Sequence, residues 1–167
     1  KPKPAGAALA PQPPEFLSGA MALLLTNAEG FRAHVALAGG ADRAAIAAVL
    51  REFPGLAHRL EFVREKNGVS YINDSKGTNV GAVVKSVEGF TRPVILIAGG
   101  LDKGSDFRPL FELFKRKVKL VILIGKAAGK MAAALDGATE TVSALTLQDA
   151  VSIAHDRAAK GDVVVLS

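Results

Sequence analysis

The sequence predicts an α/β fold, in which a Rossmann-like, doubly wound and mostly parallel sheet is preceded by a short helical segment. Short runs of Val, Ile and Leu without polar alternation, such as residues 94–98 and 120–124, are typical of strands buried on both faces. These runs alternate with segments of helical length, and that alternation is typical of the right-handed crossovers of a parallel sheet.

Length and composition indicate a single domain, with room for a fragment of another. The chain has 167 residues, of which 49% are hydrophobic, and a chain of this size buries roughly two thirds of its unfolded surface. It contains no Cys, which excludes disulfide scaffolds and thiol redox chemistry. Its net charge of +5 favours anionic partners. Because the basic residues are scattered and lack interleaved stacking aromatics, we expect small anions and no nucleic acid.

No membrane association is predicted. The longest uncharged apolar stretch near the start, residues 20–25, is far shorter than the roughly 20 residues that span a bilayer. The first residues also lack a signal-peptide pattern. We therefore expect a soluble, cytoplasmic protein. We also expect it to be a monomer.

The first third of the chain is predicted to precede the α/β domain. Residues 1–17 form a Pro-rich leader or linker, because proline disfavours both helices and central strands. Residues 18–55 follow, and within them Asp42 is predicted to cap a helix that runs to about Phe53, where Pro54 and Gly55 stop it.

Residues 56–167 are predicted to form the α/β domain. Its first two strands, residues 59–63 and 69–73, are joined by an Asn-Gly step that is typical of a tight hairpin. Further strands are predicted at residues 94–98, 120–124 and 163–166, and helices at residues 79–87, 107–117, 127–135 and 147–159.

The candidate site residues follow the strands. The carboxyl ends of parallel strands share one edge, where loops and helix N-termini converge on ligands. Lys76 and Thr78 precede a helix start that favours an anion, and Gly77 permits close approach of the backbone. We predict a carboxylate or phosphate cradle here, with a solvated, capped turn as an equal alternative. Lys103, in a Gly-rich loop, and Ser167 are predicted to lie on the same rim, although the loop by itself is more typical of an ordinary flexible loop with an exposed lysine.

Three further residues are candidates for contacts with a nucleotide. Arg59 follows His58 at the start of the α/β domain, and its planar guanidinium is suited to binding a phosphate. Asp74 is suited either to a ribose hydroxyl or to capping the turn that follows it. No G-x-x-x-x-G-K-[ST] phosphate loop occurs in the sequence, so a main phosphate-binding loop is not predicted within this chain.

Four blocks of sequence carry a resemblance to a known family. They are Phe-Pro-Gly-Leu-Ala-His-Arg-Leu-Glu at 53–61, Ile-Asn-Asp-Ser-Lys-Gly-Thr-Asn at 72–79, Leu-Ile-Ala-Gly-Gly-Leu-Asp-Lys-Gly-Ser-Asp-Phe at 96–107 and Gly-Asp-Val-Val-Val-Leu-Ser at 161–167. In this order they resemble the C-terminal part of the Mur ligase family, and above all the members that add D-glutamate to UDP-N-acetylmuramoyl-L-alanine in peptidoglycan synthesis. The resemblance covers residues 20–167.

This resemblance implies an enzyme of three domains: one for the UDP-sugar, a central ATPase and a C-terminal domain that brings the amino acid. It assigns residues 56–167 to a C-terminally truncated third domain and residues 18–55 to the end of the second. ATP and Mg2+ are the implied cofactors, with the magnesium ligands in the central domain, and this chain by itself is expected to be inactive. The implied reaction phosphorylates a substrate carboxylate, and the amine of D-glutamate then attacks the acyl phosphate.

The resemblance also implies substrate-binding residues. Thr78, Lys103 and Ser167 match positions that bind the carboxylates of D-glutamate. The concentration of negative charge in such a cleft explains a rim of cations that position the substrates.

The implied nucleotide site involves five residues. Arg59 and Lys76 match catalytic positions that act on the ATP phosphates, and His58 and Asp74 match positions near the nucleotide. Asn27 matches the first asparagine of an adenine-contacting His-Asn-x-x-Asn motif, whereas Gly30 replaces the second.

Two alternatives stay open. A related Mur or folylpolyglutamate-type ligase domain would use another amino acid, although the block at residues 73–79 argues against it. A stand-alone anion-binding module would use the net positive charge and the Gly-rich loops without catalysis. Binding measurements with D-glutamate and ADP would separate the ligase from the binding module.

Overall fold

The structure, a computed structural model, describes residues 39–40, 42, 44–45 and 56–167. The Pro-rich leader and most of residues 18–55, including most of the helix predicted to end at Phe53, lie outside the described residues. Where the start of that helix is described, Ala44 and Ala45 are helical, and the Ala45 amide donates to Asp42 Oδ2 at 3.0 Å. The predicted capping role of Asp42 is therefore confirmed.

Residues 56–167 contain a six-stranded sheet. The strands are β1 (Glu61–Lys66), β2 (Val69–Asn73), β3 (Val94–Gly100), β4 (Val118–Gly125), β5 (Glu140–Ser143) and β6 (Val163–Leu166). Their order across the sheet is β1-β2-β6-β3-β4-β5. Every neighbouring pair is parallel except β1 and β2, which form the predicted hairpin. The prediction of a mostly parallel sheet is confirmed.

Helices cover both faces of this sheet. They are α1 (Val80–Glu88), α2 (Phe111–Lys117), α3 (Ala128–Leu135) and α4 (Leu147–Arg157), with a 3₁₀ turn, η1 (Arg108–Leu110), before α2. α1, α2 and α3 pack on one face, whereas α4 packs on the other, and each face has its own cluster of buried apolar residues. This two-layered cover confirms the doubly wound prediction. No helix in the described part of the chain is long and apolar enough to cross a membrane.

The central strands explain the uninterrupted apolar runs. Residues 94–98 of β3 are each at most 2% exposed. Leu96 contacts the cluster beneath α1 to α3, and its neighbour Ile97 contacts the cluster beneath α4. Burial of each such side chain contributes about 1.5–3 kcal/mol, so polar residues are excluded from both faces of these strands.

Several element bounds differ by a few residues from the predictions, and three differences go beyond that. β1 begins at Glu61 rather than at Arg59, because Leu60 adopts a left-handed conformation with φ 46°. The helix predicted for residues 107–117 starts instead as η1 at Arg108, ahead of α2. The sequence also missed β5, a half-exposed edge strand in which Val142 is the one strongly apolar residue. This segment is a strand because it pairs with the buried β4, and its own sequence contains no apolar run that would predict a strand.

Charged side chains tie the amino-terminal edge of the sheet together. The Arg92 guanidinium donates to the carbonyl oxygens of Gly68 at 3.1 Å and Asp162 at 2.9 Å, which joins the β1-β2 turn to the segment before β6. The buried carboxylate of Asp162 accepts a 2.6 Å hydrogen bond from Lys119 Nζ. These charge-assisted bonds hold the edge opposite to the candidate site.

Candidate ligand-binding cleft

A cleft of about 280 Å³ opens at the carboxyl-terminal edge of the sheet. The loop after β2, the loop after β3, the adjoining parts of α1 and α3, and Ser167 line it. The strand order explains this meeting of distant segments, because β6 lies between β2 and β3 and brings the residue after it beside both loops. The cleft therefore lies where ligands bind in open α/β sheets.

The structure brings the three predicted substrate-binding residues together. Thr78, Lys103 and Ser167 all line the cleft. Lys103 is exposed, and its ammonium group makes no hydrogen bond or ion pair with any residue that the structure describes. Ser167 Oγ is buried without a hydrogen-bond partner in the same part of the chain. An unpaired buried hydroxyl costs about 1–3 kcal/mol, so this oxygen has capacity for a ligand.

Backbone hydrogen bonds hold the loop after β2 in its conformation. The Asp74 amide donates to Leu166 O at 2.7 Å, which fastens the loop to the end of β6. The Gly77 amide donates to Asp74 O at 2.8 Å and closes a tight turn. A Cβ atom on Gly77 would lie 3.0 Å from Ser167 Oγ, which explains why glycine suits the position. Asn79 then caps α1 through a 2.9 Å bond from the Ala82 amide.

Asp74 is a buried residue rather than an exposed residue of this loop. It is only 4% exposed, and its Oδ1 accepts a hydrogen bond from the Leu60 amide at 3.1 Å. Burial raises the pKa of this carboxyl above its ordinary value, and the bond from Leu60 reduces that rise. The observed role is thus to hold the chain ahead of β1, while the predicted contact with a nucleotide stays a prediction.

The other predicted nucleotide residues lie beside the cleft rather than in its wall. His58, Arg59 and Lys76 are exposed, whereas the neighbours of Lys76, Ser75 and Gly77, line the cleft. His58 Nδ1 lies 2.9 Å from Asn73 Nδ2. The side chains of Arg59 and Lys76 form no hydrogen bond or salt bridge among the described residues. Asn27 and Gly30 lie outside the part of the chain that the structure describes.

Apolar side chains that sequence reasoning missed form one wall of the cleft. Phe107 is 8% exposed and Met131 is 4% exposed, and both line it together with Leu110 and Ala127. Their composition is that of ordinary core residues, so only their place after β3 and β4 could have indicated a site. The described residues contain no group of three or more His, Asp or Glu side chains that could hold a metal ion.

The cleft combines the Lys103 ammonium group, which has no partner among the described residues, with four hydroxyl-bearing residues, the N-terminus of α1 and an apolar wall. Such donors suit a small anionic ligand, because they supply positive charge and hydrogen bonds beside apolar side chains. The fold and the cleft thus define an α/β domain with a cleft suited to small anionic ligands at the carboxyl-terminal edge of its sheet.

Comparison with known proteins identifies the family. The profile described as "Mur ligase, glutamate ligase domain" matches residues 58–167, and the chain therefore belongs to the Mur ligase family. It is 49% identical over 143 residues to the UDP-N-acetylmuramoylalanine–D-glutamate ligase of Geotalea daltonii, which covers 84% of this chain and 32% of that protein. The corresponding ligase of Pelotomaculum thermopropionicum is 45% identical over 130 residues, 77% of this chain and 29% of that protein. The chain thus spans about a third of the length of these relatives.

Solved structures share the fold at low identity. The bifunctional folylpolyglutamate synthase/dihydrofolate synthase of Yersinia pestis has a TM-score of 0.59 and 19% identity over 75% of this chain and 31% of that one. The UDP-N-acetylmuramate-alanine ligase MurC of Thermotoga maritima has a TM-score of 0.56 and 15% identity over 80% of this chain and 31% of that one. These likenesses agree with the observed α/β architecture.

Proposed function

We propose that this chain is the amino-acid-binding part of an ATP-dependent ligase that adds D-glutamate to UDP-N-acetylmuramoyl-L-alanine. The observation that carries the proposal is the meeting of Thr78, Lys103 and Ser167 in one cleft. Relatives of 45–49% identity with the corresponding name support the choice of amino acid. Because those relatives are about three times as long as this chain, the remaining steps belong to parts of the enzyme beyond this domain.

D-Glutamate carries two carboxylates and an amine. In the proposed complex, Lys103 pairs with one carboxylate, and the hydroxyl groups of Thr78 and Ser167 donate hydrogen bonds to carboxylate oxygens. These are charge-assisted bonds, which are about twice as strong as neutral ones. Ser167 Oγ gains the partner that it lacks among the described residues. Holding both carboxylates orients the amine, so that its attack becomes effectively unimolecular.

ATP supplies the phosphoryl group that activates the carboxylate of the muramoyl-alanine substrate. Arg59 and Lys76 fit a phosphate chain, because both are exposed cations whose side chains lack hydrogen bonds among the described residues. In the proposed complex they stabilise the negative charge that develops during transfer. His58 and Asn27 are proposed to lie on the nucleoside side. Mg2+ is proposed as a second cofactor whose ligands lie in the central domain, because the described residues contain no cluster that fits it.

The isolated chain is proposed to have no turnover. Its sequence contains no G-x-x-x-x-G-K-[ST] phosphate loop, and the muramoyl substrate and the nucleotide phosphates would need the other domains of the enzyme. We propose that the complete enzyme acts as a cytoplasmic monomer in cell wall synthesis, with ATP and a UDP-linked substrate as soluble partners.

The test is steady-state kinetics of Lys103→Ala in the full-length enzyme that carries this domain. We expect the KM for D-glutamate to rise about tenfold, because a charge-assisted bond to a carboxylate is lost. The KM for ATP should change less than about twofold. Lys85→Ala is the matched control, since Lys85 pairs with Glu88 on α1 and does not line the cleft. Equal increases in both KM values, or turnover with L-glutamate in place of D-glutamate, would contradict the proposal.

A further inference from the structure

The loop that carries Lys103 has a backbone that few residues permit. Gly99, Gly100 and Gly104 have φ values of 140°, 102° and 78°, in the left-handed region that favours glycine. Glycines also leave a chain free to move when nothing else holds it. The useful placement of the Lys103 ammonium group therefore depends on contacts made by other residues of this loop.

Asp102, the residue next to Lys103, makes those contacts. Its Oδ1 accepts a hydrogen bond from the Gly104 amide at 2.9 Å, which closes a turn around Lys103. Both of its carboxylate oxygens lie 3.5 Å from Lys130 Nζ on α3. The loop is thus bound to itself by Asp102 and to a helix by the Asp102–Lys130 ion pair.

Lys130 and the helix that carries it contact both the cleft wall and the glycine-rich loop. Its ammonium nitrogen lies 5.8 Å from the ring centroid of Phe107, which lines the cleft. The next residue, Met131, is buried in the wall of the same cleft. At the start of this helix, the Ala127 amide donates to Gly100 O at 3.0 Å. α3 and the glycine-rich loop therefore form one packed unit.

The charges of Asp102, Lys103 and Lys130 affect how the cleft would receive an anionic ligand. An unpaired Asp102 carboxylate would repel an incoming dicarboxylate and would compete with it for the neighbouring Lys103 ammonium group. Lys130 pairs with Asp102 and offsets that charge, while Lys103 has no ion-pair partner in the described part of the chain. The three side chains together present one net positive charge, and it resides on Lys103.

We propose that Lys130 and Asp102 are positioning residues, which hold the glycine-rich loop and keep Lys103 free for a ligand carboxylate. The proposal rests on the proposed function, because it takes Lys103 as the residue that binds D-glutamate. It adds a specific expectation: Lys130 affects the KM for D-glutamate because it offsets the negative charge of Asp102.

The experiment is a double-mutant cycle in the full-length enzyme, with the KM for D-glutamate as the readout. Lys130→Met should raise this KM about threefold and leave kcat unchanged, a size typical of exposed charge pairs. Asp102→Asn should lower it about twofold, because Asn keeps an acceptor for the Gly104 amide but removes the negative charge. The double variant Asp102→Asn/Lys130→Met should have the KM of Asp102→Asn alone, about half of the wild-type value, whereas independent effects would multiply to about 1.5 times the wild-type value. Lys130→Arg should keep the KM close to that of the wild type.

Controls separate the possible failures. The increase caused by Lys130→Met should shrink in about 0.5 M salt, which screens exposed charges, whereas a packing defect would persist. A Lys130→Met increase that Asp102→Asn does not reverse, or no increase at all, would overturn the proposal. If Lys103→Ala itself leaves the KM for D-glutamate unchanged, the proposed function fails instead, and the two results are distinguishable.

Discussion

The backbone amide of Lys76 donates a 2.9 Å hydrogen bond to the carbonyl oxygen of His58. This bond joins the loop after β2 to the segment that precedes β1. The carboxylate of Asp74 adds a second link at 3.1 Å through the Leu60 amide. The residues proposed to meet the nucleotide and the loop that lines the cleft are therefore held as one unit by bonds that do not depend on the Lys76 side chain.

Removal of the Lys76 ammonium group should impair catalysis rather than folding. In the full-length enzyme we expect Lys76→Ala to lower kcat about 100-fold, because a charge that stabilises the phosphoryl-transfer or amide-forming step is lost. The backbone bond to His58 survives the substitution, so the KM for D-glutamate should change less than about threefold. Phosphate release at saturating substrate concentrations measures this. Lys115→Ala, an exposed lysine on α2, is the control, and an unchanged kcat in Lys76→Ala would refute the assignment.

Two neighbouring glycines should differ sharply in their tolerance of alanine. A Cβ atom on Gly99 would lie 1.9 Å from the carbonyl oxygen of Ile124, whereas one on Gly100 would meet nothing within 4 Å. Both have positive φ, so Gly100→Ala should cost about 1–2 kcal/mol through backbone strain alone. Gly99→Ala should cost more than about 3 kcal/mol, because β3 and β4 must also separate. Urea unfolding of the chain measures both losses, and similar values for the two variants would contradict this account.

The buried carboxyl of Asp74 should make stability depend on pH. Burial raises its folded-state pKa above the unfolded value of 3.8, so the folded state holds the proton more tightly. Its contribution is therefore fully present below pH 3.8 and is lost as the pH rises through the folded-state pKa. Relative to Asp74→Asn, which keeps an oxygen acceptor for the Leu60 amide, the wild type should lose stability as the pH rises above about 4.

Unfolding free energies of the wild type and Asp74→Asn, measured at intervals between pH 3.5 and 7, test this expectation. The difference between the two proteins should change in one direction across the interval and then level off. A difference that stays constant, or that moves in the wild type's favour as the pH rises, would show that burial does not dominate at Asp74.

Particular elements show how far local sequence can predict this fold. The apolar run at residues 94–98 predicted a buried strand correctly, because two buried faces exclude polar residues from every position. The Asn67-Gly68 step predicted the β1-β2 hairpin, because both residues adopt the positive φ that such a turn requires. β5 was not predicted, because it is a strand through its pairing with β4 and not through its own composition.

Like the fold, the candidate site could be predicted only in part from the sequence. The sequence by itself determined which loops follow strands and which cations and hydroxyls they carry, since buried runs and turn residues are local signals. Only the tertiary structure decided that Ser167 lies beside Gly77, that Asp74 is buried against Leu60 and that Lys130 pairs with Asp102. Those relationships depend on the placement of β6 between β2 and β3 and on the packing of α3. Strand order is a property of long-range pairing, and no short stretch of this chain encodes it.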